Sequence, residues 1–270
     1  MRLLILMFSL ISLSSCIKVE PPQPLPLYSV YGILNPSDTT IKIFLGKTFS
    51  INESFSYDSL KFVPGAKIFI ETHNKTRKQL FLNNDTKEYE TPNNGFLIGG
   101  NTYYLKISVN GDTLTASTRI PNIATIKLEE KSINNNICEI VVSWDKNLES
   151  EYNNFRLIGH VNTNSPIIPG FYWGSDLYLR KINGNDIEGN KIFSPTGSFD
   201  ITDFSDANIS IQLETLDSIL YDFIEKLDAV QTRTSFTKKF ESPIFFKSNV
   251  KNGSGVFGSM TKSELIISLK

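Results

Sequence analysis

From Tyr28 to Thr118 the chain is built of short apolar and β-branched runs, with turn signals about every eight to twelve residues. Ser29–Leu34 and Thr40–Leu45 flank the turn sequence Asn35-Pro36-Ser37-Asp38. Ala66–Thr72, Lys78–Leu82, Thr102–Val109 and Thr113–Thr118 continue the series. The last two are joined by Asn110-Gly111-Asp112, whose first two residues tolerate the positive φ that a tight hairpin needs. Runs of this kind, short, β-branched and bounded by turn signals, read as strands. They predict about seven strands over residues 28–121, arranged as an immunoglobulin-like β-sandwich.

Residues 122–270 predict a second β-rich domain. Thr125–Leu128, Cys138–Trp144 and Phe155–Gly159 read as strands, and the placing of Trp144 resembles the strand B to C region of fibronectin-type sandwiches. Residues 163–208, rich in Asn, Gly and Pro, read as irregular, and alternation returns from Ile209 to Leu213. One helix is expected near 215–231, because Leu216, Ile219, Leu220, Phe223, Ile224, Leu227 and Val230 repeat at three-and-four spacing. Thr215 is its expected N-cap, with Asp217 in the first turn. The fold class is mainly β, with two sandwich-like domains and one amphipathic helix packed over the second.

The N-terminus carries an address. Arg2 precedes an apolar stretch from Leu3 to Leu13, which would cover about 16 Å as a helix, roughly half of a bilayer core. It reads as the h-region of a signal peptide over residues 1–15. Leu13-Ser14-Ser15-Cys16 then forms a lipobox, so Cys16 is expected to be lipidated and to become the new N-terminus. Residues 16–27 form a tether in which Pro21, Pro22, Pro24 and Pro26 favour an extended polyproline conformation. Ile17, in place of Asp, after the cysteine disfavours inner-membrane retention. Lys18 and Glu20 approximate a surface-export signal interrupted by Val19. The expected location is the outer membrane, lipid-anchored, with the cell surface favoured over the periplasmic face.

Pro64-Gly65-Ala66-Lys67-Ile68-Phe69-Ile70, Gly99–Ile107 and the C-terminal order Pro243, Ser248-Asn249-Val250, Gly253–Gly258 follow one another in a distinctive arrangement. With the lipobox and the preceding helix, this resembles the DUF4249 family of Bacteroidota lipoproteins along essentially the whole mature chain. Relatives commonly show two adjacent glycines where this chain has Gly253-Ser254-Gly255. These glycines are expected to permit positive φ or close strand packing. Ser248 and Asn249 are expected to satisfy backbone groups at a strand end. The resemblance implies an envelope lipoprotein that works with a TonB-dependent outer-membrane receptor, and it carries over no catalytic residues.

The residues themselves offer little chemistry. Lys+Arg number 27 against 28 Asp+Glu, giving a net charge of −1 with no basic stripe, which argues against nucleic acid as a partner. The chain holds two cysteines, so lipidation of Cys16 leaves Cys138 without an intrachain partner, and it is expected to act as a small buried hydrophobe. His73 and His160 fall in different predicted domains without metal-ligand spacing. No G-x-S-x-G, Walker A or G-x-G-x-x-G motif occurs. Asp200, Asp203 and Asp206 offer oxygens to a hard cation but lack the EF-hand order, so a solvated loop is expected and cation binding there stays open. Phe171-Tyr172-Trp173 between two glycines suits either core packing or a platform for a ligand or partner. Core or edge packing is the expectation, and contact with a partner is the alternative. The reading is a non-enzymatic accessory subunit without cofactor or metal, acting in substrate capture or gating, its ligand unidentified. An adhesin-like surface protein is the runner-up, and a hydrolase with an unrecognised site is the remote third.

Overall fold

The computed structural model describes residues 28–47, 62–134, 137–145, 154–162, 178–181, 187–188, 191–200, 208–232 and 246–268. The architecture is mainly β, with one helix among the described residues. The first half holds β1 (Tyr28–Leu34), β2 (Thr40–Lys47), β3 (Lys67–Thr72), β4 (Arg77–Asn83), β5 (Glu88–Pro92), β6 (Thr102–Val109) and β7 (Asp112–Arg119). The second half holds β8 (Ile126–Asn134), β9 (Ile137–Asp145), β10 (Asn154–Asn162), β11 (Tyr178–Lys181), β12 (Ile187–Glu188), β13 (Lys191–Asp200) and β14 (Asn208–Leu216). The helix α1 (Ser218–Thr232) and β15 (Ser254–Ser268) complete it.

Strand alternation becomes a sandwich core because every second residue turns inward. Val30 and Leu34 of β1 and Ile41, Ile43 and Leu45 of β2 meet Ile68 and Ile70 of β3 and Leu105 and Ile107 of β6. Two tyrosines fasten this core to its loops. Tyr103 is fully buried, and its hydroxyl donates to Phe96 O at 2.9 Å while accepting from Ile98 N at 2.8 Å. That is the tyrosine-corner arrangement of sandwich domains, in which a strand tyrosine ties down backbone just upstream. Tyr89 donates to Val63 O at 2.8 Å and accepts from Ala66 N at 3.0 Å. The expected Asn110-Gly111 hairpin is present, with φ of 49° and 89°.

A second core lies between β8 and β9 on one side and β10, β14 and the end of β15 on the other. Cys138 is buried there, as expected, and burial pushes its thiol pKa up. Trp144 packs on Phe155 with ring centroids 5.4 Å apart. Strand β13 lies within the segment read as irregular. Its pairing with β9 slips between Pro195 and Gly197, and such a bulge breaks the alternation that sequence reading relies on.

The two halves share a strand. Ser254–Ser259 of β15 pair in parallel with β1, and Met260–Ser268 pair antiparallel with β14. A continuous sheet results, in the order β11-β10-β14-β15-β1-β2-β5-β4-β3-β6-β7, beside a four-stranded sheet β12-β13-β9-β8. Val250 and Phe257, which the sequence division assigns to residues 122–270, lie in the first core. Gly255 makes the parallel pairing with β1 feasible: its φ is +120°, and a Cβ would sit 1.9 Å from Val30 O. Asn249 behaves as expected, donating from Nδ2 to Ser117 O and Phe257 O and accepting from Phe257 N at 2.9 Å. Ser248 Oγ accepts from Val250 N at 3.1 Å.

Candidate ligand-binding site

The outer face of β1 and β15 is where the chain departs from an ordinary sandwich. Val30 and Leu34 turn into the first core, so Tyr31 and Ile33 turn outward. Helix α1 covers part of this outer face, with Leu220, Tyr221 and Ile224 packed among Leu216, Ile33 and Met260. Gly258 lets it approach, since a Cβ there would lie 2.8 Å from Leu220 Cβ. The periodicity correctly places Leu220 and Ile224 on the covered face. It omits Tyr221, which is buried, and includes Leu227, which is exposed.

The helix is fixed at its start by Asp217, not by Thr215. Thr215 belongs to β14, whose ladder continues through Leu216 opposite Met260, so the chain leaves the sheet one residue before the helix begins. Asp217 Oδ1 accepts from Leu220 N at 2.7 Å, an N-cap bond to the third helical residue. Its Oδ2 accepts from Ser259 N at 2.6 Å and from the Thr118 hydroxyl. Ser259 Oγ donates to Arg119 O at 2.8 Å and lies 2.8 Å from Thr118 Oγ1. One buried carboxyl thus joins α1, β7 and β15. Burial outweighs these hydrogen bonds and raises its pKa above the ordinary 3.8.

The outer face left uncovered by α1 forms two hollows, and Tyr31 lines both. The larger, about 680 Å³, is bounded by Tyr31, Asp38, Thr40, Lys42, Glu88 and Met260. The smaller, about 270 Å³, lies toward Phe223, Phe246, Lys247 and Ser254. Tyr31, Phe223 and Phe246 form a row of rings, with centroids 5.9 Å and then 5.2 Å apart. Tyr31 is 45% and Phe246 43% exposed, so two of the three rings present area to solvent. Lys42 Nζ lies 3.5 Å from both Glu88 and Glu90, which raise its pKa, Glu90 foremost. Toward the second half, Arg156 acts electrostatically on Tyr31 and pairs with Glu214, a buried carboxylate that also meets Lys262 at 3.2 Å.

Among the described residues singled out from the sequence, Ser248 lines the smaller hollow, whereas Asp200, His73 and His160 line neither. Cys16, Phe171, Tyr172, Trp173, Asp203 and Asp206 lie outside the described residues. Asp200 ends β13 opposite Ile137, His73 occupies an exposed turn, and His160 pairs in β10 with Ser210. Among the described residues, no group of three His, Cys, Asp or Glu side chains could hold a metal ion. The signal for Tyr31 was nonetheless present: a large ring at the outward position of an alternating strand.

A protein-family model described as a domain of unknown function, DUF4249, matches residues 16–266. The chain belongs to the DUF4249 family. No curated protein matches it. The family match begins at Cys16 and ends at 266, so β1, α1, the hollows and β15 as far as Ile266 belong to the DUF4249 region.

Proposed function

We propose that this chain is an outer-membrane lipoprotein that works by binding, as a non-enzymatic accessory subunit of a TonB-dependent receptor. Anchoring rests on the lipobox at Leu13–Cys16 and on a family match that starts at Cys16. Each buried CH₂ contributes about 0.8 kcal/mol, so several acyl chains would hold the protein at the membrane far longer than one. No helix of the described residues is long and apolar enough to cross a membrane. The observation that carries the binding role is Tyr31, an exposed ring held between two hollows on a helix-braced sheet face. A capture subunit needs such a pre-formed concave surface. Extraction of the native envelope in mild detergent tests the reading. A stoichiometric outer-membrane barrel should accompany the protein, and a Cys16→Ser variant should lose it. Recovery of the chain alone across several detergents would favour an adhesin-like role instead.

A further inference from the structure

We infer that the larger hollow beside Tyr31 binds a neutral saccharide, with a sugar ring face against the phenol and hydroxyls on the polar rim. The inference deepens the binding role proposed above and rests on it.

The rim is built, not incidental. Asn35 and Asn93 are 1% and 3% exposed, yet both spend their side chains on the surface turn that edges the hollow. Asn35 Nδ2 donates to Asp38 Oδ1 at 2.8 Å, and its Oδ1 accepts from Ser37 N at 3.2 Å. Asn93 Nδ2 donates to Pro36 O at 3.0 Å and to Asp38 O at 2.9 Å, while Asn93 N donates to Thr39 O at 2.8 Å. Ser37, Asp38, Thr39 and Thr40 are thereby held in place before any ligand arrives, which lowers the ordering cost of binding.

The chemistry of the lining selects the ligand class. Asp38 and Glu88 supply acceptors, Lys42 supplies donors, and Ser37, Thr39 and Thr40 carry hydroxyls that do both. The rim thus has a donor half and an acceptor half, with Lys42 held between Glu88 and Glu90. Vicinal hydroxyls satisfy both halves, and the C–H face of a sugar ring suits an exposed aromatic ring. An anion meets the carboxylates of Asp38, Glu88 and Glu90 against the single ammonium of Lys42. A lipid tail would take the charges of Asp38, Lys42 and Glu88 out of water and offer them no hydrogen bonds. A peptide adding as a strand finds no edge here, because β1 lies between β15 and β2, and β2 lies between β1 and β5.

The test uses the full lipidated chain in a polyoxyethylene detergent, since sugar-headed detergents would compete. The probes are neutral oligosaccharides of glucose, mannose, galactose and xylose, with polygalacturonate as the anionic comparison and a tri-lysine peptide as the cationic one. Calorimetry should show at least one neutral oligosaccharide binding, with affinity reduced at least tenfold in Tyr31→Ala and in the half-buried rim variant Glu88→Gln. The melting temperature of Glu88→Gln should stay within a degree of the parent. Failure of every neutral oligosaccharide at millimolar concentration, binding indifferent to both substitutions, or preference for polygalacturonate or tri-lysine would overturn the inference. Co-isolation with a barrel despite such a failure would leave the accessory role standing. Saccharide binding without a barrel would sink that role and keep this one.

Discussion

At Asp217 two tendencies oppose each other: a helix N-cap favours a charged carboxylate, whereas burial favours a neutral acid. The donors around it, Leu220 N, Ser259 N and the Thr118 and Ser259 hydroxyls, favour the charged form, and burial outweighs them. Thr118 Oγ1 lies within hydrogen-bond reach of both Asp217 Oδ2 and Ser259 Oγ, and Ser259 Oγ donates to Arg119 O. Because the folded pKa lies above 3.8, the native state binds more protons than the unfolded one between 3.8 and the raised value. This group's contribution to stability is therefore fully present below about 3.8 and lost as pH rises through the folded pKa. Urea midpoints measured from pH 3.5 to 8 should show this fall in the parent and lack it in Asp217→Asn. A parent-minus-variant difference that grows with pH would contradict the assignment. Asp217→Ala removes the cap and leaves buried donors unpaired, at a cost of about 2–4 kcal/mol by chemical denaturation.

For the helix as an element, packing outweighs capping. Leu220 and Ile224, with Tyr221 beside them, contribute about 1.5–3 kcal/mol per buried aliphatic side chain, against about 1 kcal/mol for an ordinary N-cap. The apolar stripe was legible in the sequence for that reason, and the cap was not, because Thr215 and Asp217 carry equally good capping groups. Only the register of β14 against β15 decides between them. Strand β5 was illegible for a related reason. Its inward residues are Tyr89 and Thr91, flanked by two glutamates and Pro92, so hydropathy hides an alternation that burial reveals. Close approach gives the sharpest element-scale tests. Gly258→Ala should cost about 1–3 kcal/mol by forcing Leu220 away, and Leu220→Gly, which removes the Cβ that the new methyl would meet, should relieve part of that strain in a double-mutant cycle. Gly255→Ala should cost more than Gly258→Ala, because its Cβ meets the Val30 backbone carbonyl, which cannot move without breaking the β1–β15 ladder. Thermal melts of the two variants check the order.

For the whole molecule, β15 is the decisive element. Nothing local in the sequence announces that its first six residues pair with β1, more than two hundred positions away, since parallel pairing depends on tertiary placement and not on periodicity. The glycines around 255 were legible as special positions, but what they accommodate was not. The candidate site shares this fate: the three rings of its aromatic row come from β1, α1 and the segment preceding β15, so no contiguous motif marks it. Both proposals depend on these pieces being held together as one body. Hydrogen exchange at increasing urea, read on peptides from β6 in the first core and β9 in the second, measures this directly. The account predicts that both sets of amides open in one common transition, and that Gly255→Ala lowers both together. Separate transitions, with β9 unaffected by Gly255→Ala, would contradict it.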